Sequence, residues 1–111
     1  MEKLVKGDVV VLPFPFSDLS ASKKRPALVV ATLTGDDVIC CQITSEARFD
    51  IYAVTLLHSD FEKGKLDVNS VIRPNRLFTA DRSIILYHVG SIKKQKLHEI
   101  EEKIISILHS S

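Results

Sequence analysis

Short apolar runs separated by polar turns fill most of the chain, and one run with helical spacing closes it. Residues 8–16 carry Val9, Val10, Val11 and Leu12, a β-branched and aliphatic run of strand length. A second strand is expected over 25–32 and a third over 38–44, the latter apolar enough to be buried on both faces. Between them, residues 33–37 form a turn in which Gly35 is free to take positive φ. After a polar connection over 45–50, a fourth strand is expected over 51–57, followed by a long polar link over 58–69. A fifth strand over 70–73 ends at Pro74, which demotes the residues after it to an edge or a break. Residues 75–80 form a short resumption, 81–83 a turn, and 84–89 the last strand.

From Lys94 to Leu108 the period changes. Leu97, Ile100, Ile104, Ile107 and Leu108 fall on one helical face, while Glu99, Glu101, Glu102 and Lys103 lie largely off it. Glu99 precedes Lys103 by four residues, the favourable order for a surface ion pair. His109 and the two terminal serines are expected to fray. Several strands followed by one amphipathic helix predict a mainly β fold: a compact β-barrel or strongly bent sheet with the helix packed across it.

The loop after the first strand is the chemically distinctive stretch. Pro13 and Pro15 fix φ and remove two backbone donors. Ser17, Asp18, Ser20 and Ser22 are residues that bond their own backbone in turns. Lys23, Lys24 and Arg25 close the loop, and Pro26 biases Arg25 toward extended geometry. A guanidinium held at a loop mouth suits a phosphate, because its planar fork binds two oxygens at once. An ordinary solvated charge cluster on a hairpin is the alternative reading.

Composition narrows the classes. At 111 residues, 45% hydrophobic and 26% charged, the chain suits one domain over 1–111 with one core. No apolar run approaches the ~20 residues of a membrane-spanning helix, and the N-terminus lacks the pattern of a secretory signal. A cytoplasmic location away from membranes is the expectation. A net charge of +1 argues against a protein held on nucleic acid by bulk charge, so any such contact must come from a local patch.

Candidate chemistry is sparse. Adjacent Cys40 and Cys41 point to opposite faces of a strand, so they read as small apolar residues, with catalytic use a remote alternative. His58, His88, His98 and His109 are acid–base suspects by type, but none has an acid at a recognisable spacing. No metal-binding, glycine-rich phosphate or nucleophile-elbow motif is present, and no cofactor is expected. What remains is Arg25 together with Thr44 and Ser45 at the end of the third strand. An arginine and a hydroxyl brought together can stabilise a pentavalent phosphorane. RNA supplies its own nucleophile, the ribose 2′-hydroxyl, so such a site needs no metal. Lys23 and Lys24 add a local phosphate patch, and Phe14 and Phe16 can stack on splayed bases or pack in the core. Arg73 and Arg76 extend the groove, or are surface or dimer-contact residues.

Several ordered blocks of this chain resemble the MazF/PemK family of toxin endoribonucleases from type II toxin–antitoxin operons. They are Lys6-Gly7-Asp8-Val9-Val10, Arg25-Pro26-Ala27-Leu28-Val29-Val30 and Gln42-Ile43-Thr44-Ser45, then Ser70-Val71-Ile72-Arg73, the stretch from Arg76 to Ser83, and Val89-Gly90-Ser91-Ile92. The resemblance implies an SH3-like β-barrel with a C-terminal helix. It implies a homodimeric mRNA interferase that cuts single-stranded RNA at short sequences without metal, leaving a 2′,3′-cyclic phosphate or 3′-phosphate and a 5′-hydroxyl. Arg25 and Thr44 match the family's catalytic arginine and hydroxyl, with Ser45 as assistant. Residues 14–24, including Phe14, Phe16, Ser17, Asp18, Lys23 and Lys24, match the segment that gates RNA and is displaced by a cognate antitoxin, with which such toxins bind DNA. This loop departs from the glycine- and glutamate-bearing form of many members. Two other readings share the fold: a non-enzymatic toxin that inhibits DNA gyrase, and a degenerate member that only binds RNA or a partner.

Overall fold

A computed structural model describes residues 3–14, 23–46 and 50–110. Phe16, Ser17 and Asp18, named above as RNA contacts, lie outside the described residues. The elements are β1 (Asp8–Phe14), β2 (Lys23–Thr32), β3 (Asp37–Thr44), β4 (Val54–Leu56), β5 (Phe61–Gly64), β6 (Ser70–Asp81), β7 (Tyr87–Ile92) and α1 (Lys94–His109). All strand pairs are antiparallel, in the order β4-β6-β3-β2-β1-β7-β5.

Chain length forces this sheet to curl. β4 and β5 are its two edges, yet only residues 57–60 join them. Laid flat, strands at ~4.8 Å spacing would hold those edges about 29 Å apart. The link from Leu56 to Phe61 can span only about 18 Å when fully extended. The edges therefore approach each other, and Val54, Leu56 and Phe61 share one apolar cluster with Val9, Leu28, Cys41, Ile43, Ile72 and Ile92. Ile100 of α1 is fully buried in that cluster, with Leu97 and Ile104 packed against it. The result is a mostly β, partly open barrel with one C-terminal helix, as the strand pattern predicts.

The opposite face of the central strands is also buried. Val10, Leu12, Phe14, Ala27, Val29, Val38 and Cys40 form a second cluster, covered by Leu4 and Ile85. β3 is thus buried on both faces, and Cys40 and Cys41 fall in different clusters, as strand alternation requires.

Several boundaries differ from expectation. The fourth strand shrinks to Val54–Leu56, because residues 51–52 turn and leave Ile51 at 81% exposure. The polar link contains a 3-10 turn at His58–Asp60 and a strand, β5, that the sequence does not announce. Its residues Glu62, Lys63 and Gly64 are exposed, so no apolar alternation marks it. Its register instead rests on contact between two glycines: Gly64 pairs with Gly90, and a Cβ at Gly90 would stand 2.1 Å from the Lys63 carbonyl oxygen.

Pro74 does not end its strand. β6 runs through it, and the discontinuity appears in the pairing. Cys41 pairs with Leu77 while Gln42 pairs with Arg73, so Pro74, Asn75 and Arg76 form a bulge opposite a single step of β3. A bulge removes the need for the donor that proline lacks. Beyond Ile72 the β4 side of β6 pairs with no described strand, so among the described residues the later half of β6 is an edge, in line with the expectation. The turn at 81–83 becomes a 3-10 turn at Arg82–Ile84, where Asp81 accepts from the Ser83 amide at 2.9 Å. The last strand starts later than expected, at Tyr87.

The helix is where its periodicity puts it, although Leu108 is 70% exposed rather than packed. Glu99 pairs with Lys96 at 2.9 Å, not with Lys103. Lys96 also donates to the Thr55 carbonyl at 3.2 Å and lies 3.6 Å from Asp60, tying α1 to the sheet edge. No described helix is long and apolar enough to cross a membrane.

Candidate active site

Arg25 enters the site because β1 and β2 form a regular ladder that sets it opposite Leu12. Thr44 enters from the last position of β3, which pairs with Val71 of β6. β2 and β3 pair with each other only as far as Ala27 and Gln42. Beyond that point the β1–β2 and β3–β6 halves separate, and a depression of about 320 Å³ occupies the opening. Lys24, Arg25 and Pro26 line one side, and Ile43, Thr44 and Ser45 line another. Residues 66–68 and Ser70, with Val11 and Tyr87, complete it.

The Arg25 guanidinium is poised for an anion. Its Nε is buried and has no hydrogen-bond partner among the described residues. No carboxylate of a described residue pairs with it. A buried donor left unsatisfied costs about 1–3 kcal/mol. The Nε of Arg82 is in the same condition, but Arg82 is not among the residues around this depression.

Thr44 is buried, and its Oγ1 accepts from the Glu46 amide at 3.0 Å. A hydroxyl has one proton to give as well as lone pairs to receive. The Glu46 contact occupies an acceptor position and leaves that proton available to an acceptor in the depression. Ser45 adds an exposed hydroxyl beside it. The arrangement sets one cationic fork and oriented hydroxyl donors around a space suited to a phosphodiester.

The remaining sequence candidates divide. Lys24 lines the depression, whereas Lys23 is exposed on β2 outside its lining. Phe14 requires correction as a stacking residue. It is 6% exposed, and its ring meets Phe78 edge-on at 4.9 Å between centroids, so little of the ring is left for a base to stack on. Core packing wins because strand alternation directs Phe14 into the same cluster as Leu12.

Arg73 is likewise committed elsewhere. Its Nε donates to Asp50 Oδ2 at 2.6 Å, in a pair whose side chains are 20% and 5% exposed. Burial works against ionisation of Asp50, but the Arg73 hydrogen bond, the Tyr52 amide and the Arg73 charge together hold its carboxyl below the usual range. Arg73 therefore pins the segment before β4 to β6 and does not extend the groove. Arg76 projects from the bulge and lines a separate apolar groove of about 340 Å³ with Leu12, Phe14, Leu77 and Phe78.

The cysteines have no part in this chemistry. Both thiols are free and buried, and burial pushes each up to about 12, so neither offers a thiolate at neutral pH. Two histidines do acquire acid neighbours, His88 from a distant strand and His98 from four residues along its own helix. His88 Nε2 lies 3.2 Å from Asp8 Oδ1, and His98 lies 3.7 Å from Glu102. Asp8 also accepts from the Val5 amide at 2.9 Å, and the pair sits toward the start of β1, outside the Arg25 depression. Residues 66–68 are a part of the lining that sequence reasoning missed, since they read only as polar link.

A family model described as a PemK-like, MazF-like toxin of type II toxin–antitoxin systems matches residues 5–108. No curated protein matches the sequence. Among solved structures, MazF (Form-I) from Deinococcus radiodurans is 26% identical with a TM-score of 0.75, covering 99% of this chain and 100% of that one. A MazE–MazF structure (Form-III) from the same organism is 26% identical with a TM-score of 0.73, covering 96% of each chain. An endoribonuclease in complex with its cognate antitoxin, from a mycobacterial species, is similar in fold with a TM-score of 0.77 at 14% identity, covering 98% of each chain.

Proposed function

The chain belongs to the PemK-like, MazF-like family of type II toxin–antitoxin toxins, and from that premise we propose that it is an endoribonuclease that cuts single-stranded RNA without a metal ion. The observation that carries this reading is the convergence of Arg25, which pairs with no carboxylate of a described residue, and Thr44 on one depression. The ribose 2′-hydroxyl attacks the adjacent phosphorus, and the negative charge on the non-bridging oxygens grows as the phosphorane forms. Arg25 donates to those oxygens, Thr44 Oγ1 gives them its free proton as a hydrogen bond, and Ser45 assists. Donors fixed before the charge develops need no reorganisation, which is what makes such a site effective. Lys24 steers the RNA backbone into the opening, and Lys23 contributes to the same cationic edge.

The same reading extends to partners and setting. Solved structures described as an endoribonuclease in complex with its cognate antitoxin and as MazE–MazF support a cognate antitoxin for this chain. A homodimer of single toxin domains, a cytoplasmic location and DNA binding in complex with the antitoxin are further parts of the proposal.

The test is digestion of a long, unstructured RNA in EDTA with mapping of the ends. The expected result is 5′-hydroxyl and 2′,3′-cyclic phosphate ends at a small set of sites, and no cutting by a folded Arg25→Ala variant. Intact RNA with the parent protein, or undiminished cutting by Arg25→Ala, overturns the proposal. Inhibition of gyrase supercoiling with RNA left intact would establish the binding-toxin alternative instead.

A further inference from the structure

The Arg25–Thr44 pair stabilises charge but leaves one role unfilled. The attacking 2′-hydroxyl must lose a proton, and neither an arginine nor a threonine takes one at neutral pH. Besides aliphatic residues, Lys24, Ser45, Asp67, Ser70 and Tyr87 line the depression. One of them is a carboxylate, a common general base. Asp67 is that carboxylate, and the described histidines stand outside this lining.

Electrostatics makes its presence informative. A carboxylate in a depression that receives a phosphodiester repels the ligand, so Asp67 there costs binding unless it acts on the substrate in another way. It is not consumed by a structural pair: among the described residues Asp67 forms no ion pair, although Lys24 and Arg25 line the same depression. Its position is braced on both sides. Leu66 packs against the core cluster that holds Ile43. The buried Ser70 donates its hydroxyl to the Val68 carbonyl at 3.1 Å, which fixes the turn that leads into β6. Val71, the next residue, pairs with Thr44, so the loop bearing Asp67 is joined directly to the strand position opposite the threonine.

We infer that Asp67 is a further catalytic residue, the general base for the ribose 2′-hydroxyl; this rests on the nuclease reading above. The Asp67 carboxylate accepts the 2′-hydroxyl proton as the 2′-oxygen forms its bond to phosphorus. The bond from phosphorus to the 5′-oxygen breaks, and the departing 5′-oxygen takes a proton from water. Asp67 then returns its proton to solvent. The balance is one RNA strand giving a 2′,3′-cyclic phosphate and a 5′-hydroxyl, with no net proton and no oxidant or reductant.

The experiment is single-turnover cleavage of a short RNA carrying a mapped cut site, across a range of pH. Asp67→Asn keeps the side-chain shape and removes the base. The expected result is a fall of about 100-fold or more in the cleavage rate constant, with RNA binding unchanged or tighter. The rising acid limb of the parent's rate–pH profile is lost in the same variant. Asp67→Glu recovers part of the rate, and Asn69→Ala, in the same loop but outside the lining, cuts like the parent. Parental rates for Asp67→Asn overturn the assignment and leave the nuclease reading standing. So does a variant that changes only RNA affinity or the choice of cut site. If the parent protein cuts no RNA, the nuclease reading falls and this role falls with it.

Discussion

Arg25 and Thr44 would face each other if the β2–β3 ladder continued two residues past Ala27 and Gln42, but the ladder stops there. Each residue is instead held from its other side, Arg25 opposite Leu12 of β1 and Thr44 opposite Val71 of β6. Two strands that separate while remaining anchored outward create an opening with fixed walls. Rigid elements place donors more accurately than loops do.

This geometry predicts a trade between activity and stability at Arg25. Replacing it by leucine removes a buried, unpartnered donor and supplies apolar atoms in a region of aliphatic neighbours. The expected outcome is a loss of about 100–1000-fold in cleavage with a gain of about 1 kcal/mol in stability. Thr44→Val behaves differently. It loses a comparable share of activity and is slightly destabilised, because the Glu46 amide loses its acceptor, while Thr44→Ser keeps most of both. Single-turnover kinetics and thermal melts on the three variants check the pattern.

The Asp50–Arg73 pair predicts an acid-dependent contribution to stability. The fold holds the Asp50 carboxyl below its ordinary range, so the folded state binds that proton less readily than the unfolded chain does. The contribution is complete above the unfolded value of about 3.9 and disappears as pH falls through the lower folded value. Asp50→Asn is expected to cost about 1 kcal/mol near neutrality, the loss of a charge-assisted hydrogen bond. The gap between variant and parent should close in strongly acid solution. Chemical denaturation at a series of pH values measures it; a gap that widens toward acid contradicts the account.

Gly90→Ala tests the closure of the sheet. A methyl group there would collide with the Lys63 carbonyl, a backbone atom with nowhere to move while β5 stays paired. A loss of about 3 kcal/mol is expected, together with faster amide exchange in β5 and β7. A mutation at Gly35 provides the contrast: a Cβ there meets nothing within 4 Å, leaving only the strain of its +90° φ.

The cysteines supply a reactivity test. Both are buried with thiols pushed up to about 12, so they should resist alkylation in the native protein at pH values near 8 and react fully in denaturant. Rapid native modification of either thiol would show that β3 opens on its own. Cys→Ala changes should leave the proposed RNA-cleaving activity in place, while reducing stability by about 1 kcal/mol through lost packing.

Local pattern by itself determined the helix over 94–108, the three central strands and the opposed burial of Cys40 and Cys41, because each depends on a period of 3.6 or 2 within a few residues. Arg25 also stood out locally, through the cations and the proline around it. Tertiary structure decided the rest. It hid the Phe14 ring, tied Arg73 to Asp50, recruited the nearly featureless β5 as a closing edge, and carried β6 through Pro74 by bulging its pairing. It also brought Arg25, Thr44 and Asp67 around one depression. These outcomes depend on which distant segments pair and where a ladder stops, and the curl of the sheet sets both. No window of neighbouring residues carries that information.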